Sequence, residues 1–330
     1  MGKVVIGEKW MKWTLLEAGT RTGSKLLQKV IGLAAPTFAF NVVASFVVGL
    51  MQTLAGFLAV KKQGKSFFPN RQQVWGSIAF GTLATFSTIV PFTIFYLGGD
   101  IGVNTFIITL SIVPGAFIDR IFFGHKLTGR QWAGVGMAVI AGYSVLGWPT
   151  AQGFFSLPLW VWLSFAVMMA NAVNQGITQK VKDVDPMVKN FWGGFTNVAL
   201  SLGVLAFIGS LGALFDFSPQ LRKLWLAAPL VGGIVIAMWS FNLLSYKGGA
   251  SIALKKLVMN GTYLTAVMVL SVLIPYFKES MTWGKAIGIP LYFVAFALMD
   301  NGTWNYVSSW FCKETVKSGS DAPVKVPTKV

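Results

Sequence analysis

The sequence predicts an all-α, polytopic membrane protein of ten transmembrane helices arranged as two inverted five-helix repeats. Three observations predict it. Hydrophobic residues make up 54% of the 330 and charged residues 12%, with 27 Phe and 13 Trp, a balance foreign to a soluble domain of this length. Uncharged runs reach the roughly 20 residues that a helix needs to cross a hydrocarbon core of about 30 Å. Short phrases also recur along the chain at a nearly constant offset.

The uncharged runs are Leu33 to Val60, Val74 to Gly99, Asn190 to Phe215, Leu224 to Tyr246 and Leu257 to Tyr276. Between Gln131 and Gln179 nothing is charged, and "GWPTAQGFFSLP" divides that run into two spans. Period-two alternation is absent, so the spans are helices and not barrel strands. They fall near 11–34, 36–60, 73–97, 101–122, 131–148, 158–180, 187–214, 224–246, 249–276 and 285–308. Residues 1–10 and the Pro/Ser/Lys-rich tail 309–330 flank two units, 11–148 and 158–308, with 149–157 as linker; the tail reads as disordered. No cleavable signal peptide is evident in "MGKVVIGEKWMKW".

Ten spans put both termini on one side, and Lys and Arg choose it. With the N-terminus cytoplasmic, 18 of the 27 basic residues fall on that side, from Lys3 through Lys189 and Lys247 to four tail lysines. The opposite side keeps Arg222, Lys223, Lys278 and Lys285, and the positive-inside bias places both termini in the cytoplasm. The +16 net charge is thereby explained without nucleic acid as a partner. The expected location is the cytoplasmic (plasma) membrane, with an organellar membrane as the alternative. Tryptophans near span ends, among them Trp10, Trp75 and Trp148, fit an interfacial belt.

"QKV" at Gln28 to Val30 returns at Gln179 to Val181, Pro36 at Pro186, and Gly98-Gly99 at Gly248-Gly249, offsets of 151, 150 and 150. "FGHKLTGRQWAGVG" from Phe123 returns as "FKESMTWGKAIGIP" from Phe277, an offset of 154. A five-helix unit is odd, so its second copy enters the membrane from the opposite face, the architecture of alternating-access transporters. With "GHKLTGRQWAG" at Gly124 to Gly134 and "KESMTWGKAIG" at Lys278 to Gly288 joining the fourth and fifth helix of each half, the chain resembles the drug/metabolite transporter superfamily, whose repeat is the EamA domain. The resemblance covers about residues 11–308. His125 departs from the signature glutamate that Glu279 keeps, and the resemblance implies a structural role for that acid.

Charges inside spans are costly and should face protein or water. Glu17, Arg21, Lys25 and Lys29 follow at four-residue spacing, so they share one side of the first helix. Glu17 and Arg21 are spaced to pair, leaving Lys25 and Lys29 for an anion; an amphipathic segment lying in the interface is the competing reading. Lys255 and Lys256 lie two turns into the ninth span, where snorkelling to the interface is the bland alternative. The triose-phosphate and nucleotide-sugar branch of the superfamily places phosphate-binding basic residues in that helix, and the resemblance implies this role for the pair. Asn171, Asn174 and Gln175 share a face of the sixth span, and Asn260 and Tyr263 sit in the ninth; all suit a hydroxylated solute or interhelical hydrogen bonding. Asn197 and Asn242 lie in the seventh and eighth spans. Pro91, Pro114 and Pro290 are expected to interrupt spans three, four and ten.

One cysteine, Cys312, and one histidine argue against a disulfide or a metal centre. No Walker-type phosphate loop and no nucleophile with its base are evident, so neither ATP-driven transport nor an enzyme is expected, and no cofactor. Glu17 is the only acid well inside a span and the natural coupling group. The expectation is a secondary transporter of a small polar organic solute, anionic or phosphorylated, with the lipid bilayer as its surroundings and a homodimer as the one protein partnership considered. Export of amino acids or other zwitterionic metabolites is the alternative within transport, and a non-transporting membrane scaffold the alternative outside it.

Overall fold

The computed structural model describes residues 9–123, 128–248, 252–299, 304, 305 and 308. His125, Gly249, the 309–330 tail and the side chains of Lys255 and Lys256 lie outside the described residues. Every regular element described is helical. In chain order they are α1 (Lys9–Ala34), α2 (Phe38–Lys62), α3 (Arg71–Tyr96), α4 (Ile101–Thr109), α5 (Ile112–Phe123) and α6 (Gly129–Val145). There follow α7 (Ala151–Phe155), α8 (Leu159–Lys180), α9 (Pro186–Phe207), α10 (Arg222–Lys247), α11 (Ile252–Leu273) and α12 (Trp283–Met299).

Most of the segments expected as spans are helical within a few residues of the expected bounds, and the departures have local causes. The fourth span is two helices, not one. Pro114 has no N–H to give the Leu110 carbonyl, and the chain tightens: Ser111 N–H donates to Ile108 O at 3.1 Å and Val113 N–H to Leu110 O at 2.8 Å. Pro91 and Pro290 do not interrupt their spans; α3 and α12 run through them, as α10 does through Pro229. The seventh span ends at Phe207 instead of 214, because Gly209 takes φ 65° and lets Ser210 N–H close onto Leu205 O at 2.8 Å. The supposed linker holds α7, N-capped by Thr150. The Gly98-Gly99 echo is not repeated in the backbone: Gly98 has φ 83° and Gly248 φ −75°.

Packing pairs occur in couples. α1 lies on α10 as α8 lies on α3, and α3 meets α9 as α10 meets α2; α1 on α11 is matched by α8 on α4 and α5. Two further contacts are antiparallel and glycine-mediated. In the first, a Cβ at Gly56 of α2 would lie 2.6 Å from Phe191 N of α9, and one at Gly194 2.6 Å from Thr53 N. Asn197 sits in this seam, accepting from Ser45 at 2.8 Å and Ser201 at 3.2 Å, so it is interhelical glue. In the second, Gly134 of α6 abuts Ala295 O of α12 and Gly288 of α12 abuts Ala141 O of α6, where added Cβ atoms would stand at 2.8 and 3.2 Å. The two contacts are reciprocal, each pair shifted by the 154 residues of the doubled phrase. The shared threonine explains the rest of that phrase. Thr128 caps α6 in a capping box with Gln131, and Thr282 accepts from Lys285 N at 3.3 Å at the start of α12.

Large apolar side chains are exposed on the outside, and the interior holds polar side chains among its apolar core clusters. Phe207 and Trp283 are 91% and 85% exposed, while Glu17, Asn41 and Gln52 are fully buried. Four stretches, Phe38–Lys62, Arg71–Tyr96, Ile101–Ile118 and Pro219–Lys247, are long and apolar enough to cross a membrane, and Val258–Leu273 and Trp283–Met299 are apolar but shorter. Some charges that the sequence assigns to solvent are inside. Lys189 is buried, donating to Thr178 Oγ1 at 3.2 Å with its ammonium 3.6 Å from the Phe80 ring centre, and Lys285 is buried against Asp100 at 2.6 Å. Trp10 belongs to the core and not to an exposed belt, its backbone and Cβ against Gly248.

The α6/α12 seam yields a test. Gly134→Val forces a branched side chain against backbone and should destabilise the fold by about 1–3 kcal/mol. Gly136→Ala, two residues away with open space at its Cβ, should be neutral or stabilising by up to about 1 kcal/mol. Thermal unfolding in detergent micelles compares the two.

Candidate functional site: a cavity between the two halves

A cavity of about 120 Å³ opens where α1, α3 and the α4/α5 junction of the first half meet α8, α10 and α11 of the second. On α1 the lining is Arg21, Ser24, Lys25 and Gln28, the i, i+3, i+4, i+7 face of a helix. α8 contributes Asn171, Asn174 and Gln175, and α11 contributes Asn260 and Tyr263. Thus seven of the ten residues singled out from the sequence converge on one space. Of the other three, Glu17 lies just beneath it, and Lys255 and Lys256 have side chains outside the described residues.

Electrostatics divide the α1 charges into three groups. Glu17 is fully buried, and its Oε1 accepts from Arg21 Nε at 2.9 Å, Arg21 Nη2 at 2.8 Å and Asn242 Nδ2 of α10 at 2.9 Å. The planar guanidinium suits this fork-like contact. Lys25, one turn on, is 3% exposed and stands 5.0 Å from the Phe95 ring centre. Lys29 does not remain available for an anion: it donates to Gly99 O at 2.5 Å and lies 3.5 Å from Glu279. α1 is packed among α3, α10 and α11 with its charged stripe inside and Leu15, Leu16 and Leu33 outside.

Lys29 belongs to a four-charge cluster with Glu279, Asp100 and Lys285, one turn along α1 from the cavity-lining Lys25. Glu279 accepts from Ile101 N at 2.6 Å and Gly102 N at 3.3 Å, so this signature acid caps α4 from another part of the chain. Asp100 caps the same helix through Val103 N and pairs with Lys285, which also donates to Ser280 O at 3.0 Å. Burial and the neighbouring Asp100 raise the Glu279 carboxyl above its ordinary range; the two N–H groups and Lys29 oppose this.

Several lining groups are missed by sequence reasoning. The hydroxyls of Ser24, Ser87, Thr88 and Ser111 look like ordinary helix residues, though Ser24 and Gln28 share the Arg21 and Lys25 face and were findable there. Thr109 and Ser111 face the cavity because the α4/α5 break bends the chain there. Trp239, edge-on to Phe80 at 4.5 Å, supplies an aromatic wall. Some amides have protein partners. Tyr246 donates to Gln175 Oε1 at 3.0 Å, and Asn260 Nδ2 donates to Tyr292 at 3.3 Å.

No protein-family model and no curated protein matches the chain. Among solved structures, one described only as "Crystal structure of protein" is similar with a TM-score of 0.57 at 18% identity, over 89% of this chain and 98% of that one. At that identity the likeness shows the fold alone.

The Lys29–Glu279 pair is buried on both sides, 6% and 5% exposed. Lys29→Met should therefore cost about 3–5 kcal/mol by stranding a buried carboxylate, and Lys29→Met with Glu279→Gln should recover part of that loss. A double-mutant cycle by thermal or denaturant unfolding reads the coupling.

Proposed function

We propose that the chain is a secondary transporter of the drug/metabolite type, spanning the membrane ten times as two inverted five-helix repeats and moving a small polar organic anion by alternating access. The observation that carries this reading is the composition of the cavity wall. Its six contributors form three pairs, α1 with α8, α3 with α10, and α4/α5 with α11, each the same position in the two repeats. A site on a two-fold axis between repeats is where an exchange of conformations between halves alternates access.

Other features support it. A two-fold axis in the membrane plane turns a helix antiparallel to its counterpart, and α2 against α9 and α6 against α12 run antiparallel with reciprocal glycine contacts. Large apolar side chains exposed on the outside, such as Phe207 and Leu226, suit a lipid environment. Irregular backbone at the α4/α5 junction is tolerable at membrane depth because it lines the cavity. The four-charge cluster ties α1 and the α3–α4 turn of the first repeat to the segment that starts α12 of the second, a contact between repeats that their relative movement would strain. Both termini are then cytoplasmic and the membrane is the plasma membrane.

Purified protein reconstituted into liposomes tests the reading. Counterflow of small labelled organic anions should exceed that of empty liposomes and fall about tenfold or more in Lys25→Gln, since a buried charge-assisted contact is worth about 1.5–3 kcal/mol. Absence of counterflow for every class of organic solute, from protein that remains folded, rejects transport.

A further inference from the structure

Resting on the transporter reading, we infer that the cavity binds a small hydroxycarboxylate monoanion, with its carboxylate on Lys25 and its hydroxyl donating to the cavity's amide oxygens. Charge is the first argument. Arg21 and Lys25 are the only charged groups in the described lining. Arg21 is neutralised by Glu17. Lys25 has only the Phe95 ring beside it, with no carboxylate at ion-pair distance among the described residues. A buried ammonium demands a counter-charge, and one counter-charge satisfies it; a phosphate dianion brings a negative charge too many.

Size is the second. A cavity of about 150 Å³ holds benzene, so about 120 Å³ accepts roughly five to eight non-hydrogen atoms. That volume matches a three- or four-carbon acid, and a nucleotide-sugar would extend beyond it.

Hydrogen bonding is the third. Asn174 is 7% exposed, and its Oδ1 is buried with no partner among the described residues, as are Gln28 Oε1 and Ser87 Oγ on facing helices. Two of these three are pure acceptors, so a complementary ligand must carry donors as well as a carboxylate. A hydroxyl meets this need at no electrostatic cost. An amino acid's ammonium also donates, but it needs a carboxylate opposite. The nearest carboxylate described, Glu17, already accepts from Arg21 and Asn242. Trp239 and Met259 offer apolar contact for the carbon skeleton.

Four near-isosteric probes decide the matter on the full chain in detergent micelles: lactate, propionate, lactamide and alanine, titrated by calorimetry. Lactate should bind best. Propionate, which lacks the donor, lactamide, which lacks the charge, and alanine, which adds an ammonium, should each bind about tenfold or more weaker, since each leaves a buried group unsatisfied. Lys25→Gln should reduce lactate to the level of lactamide, Lys25→Arg should keep the order, and Asn174→Ala should narrow the gap between lactate and propionate. If a variant fails to fold, the wild-type order still decides.

Alanine or lactamide equal to lactate overturns the inference, and so does binding of none of the four by folded protein. Lactate bound in the micelle with no counterflow of lactate or of any other organic solute in liposomes would reject transport while leaving the site. Counterflow of other solutes without lactate binding would reject the site while leaving transport.

Discussion

The structure depends on burying a charged helix. α1 carries a carboxylate and three cations on one side and Leu15, Leu16 and Leu33 on the other, and it can leave water only if its charges meet partners supplied by distant parts of the chain. The solutions differ along its length. Glu17 and Arg21 satisfy each other, with an amide from α10 completing the contact. Lys29 is answered by Glu279 and a backbone carbonyl. Lys25, between them, meets only an aromatic face and the cavity. Burial costs an unpaired ammonium several kcal/mol, so the free energy withheld from Lys25 is the free energy an anion can recover.

The rest of the bundle follows from that arrangement. Interior polar groups are hydrogen-bonded from helix to helix, as with Asn197 and Ser45 or Thr14 and Ser245. The helix pairs that must hold tightly approach through glycine. There backbone meets backbone, whereas the cavity wall is made of side chains.

Much of this was legible in the chain. Hydropathy gave helices and approximate bounds because an apolar run of some 20 residues has few other folds, and the doubled phrase gave the α6/α12 relation because its threonine and glycine have local jobs, capping and close approach. The face Arg21, Lys25 and the face Asn171, Asn174, Gln175 were readable from three- and four-residue spacing alone. What failed was local reasoning applied to residues whose state depends on long-range partners. Lys189 and Lys285 sit near helix ends, where solvent is the default, yet each is folded inward onto groups far off or across a turn. Pro91, Pro114 and Pro290 carry the same local penalty, but only the one at Pro114 coincides with a break in its span.

By itself the sequence determined the all-helical class, the two-unit periodicity and which faces are polar, since these follow from spacing and from the cost of exposing backbone and charge to an apolar medium. Only the tertiary structure decided which polar faces meet, that Lys29 is neutralised while Lys25 is not, and that the common space is small. Those outcomes are set by contacts between residues tens to hundreds of positions apart, Glu279 with Ile101 or Asn242 with Glu17, and no periodicity within a single helix encodes them.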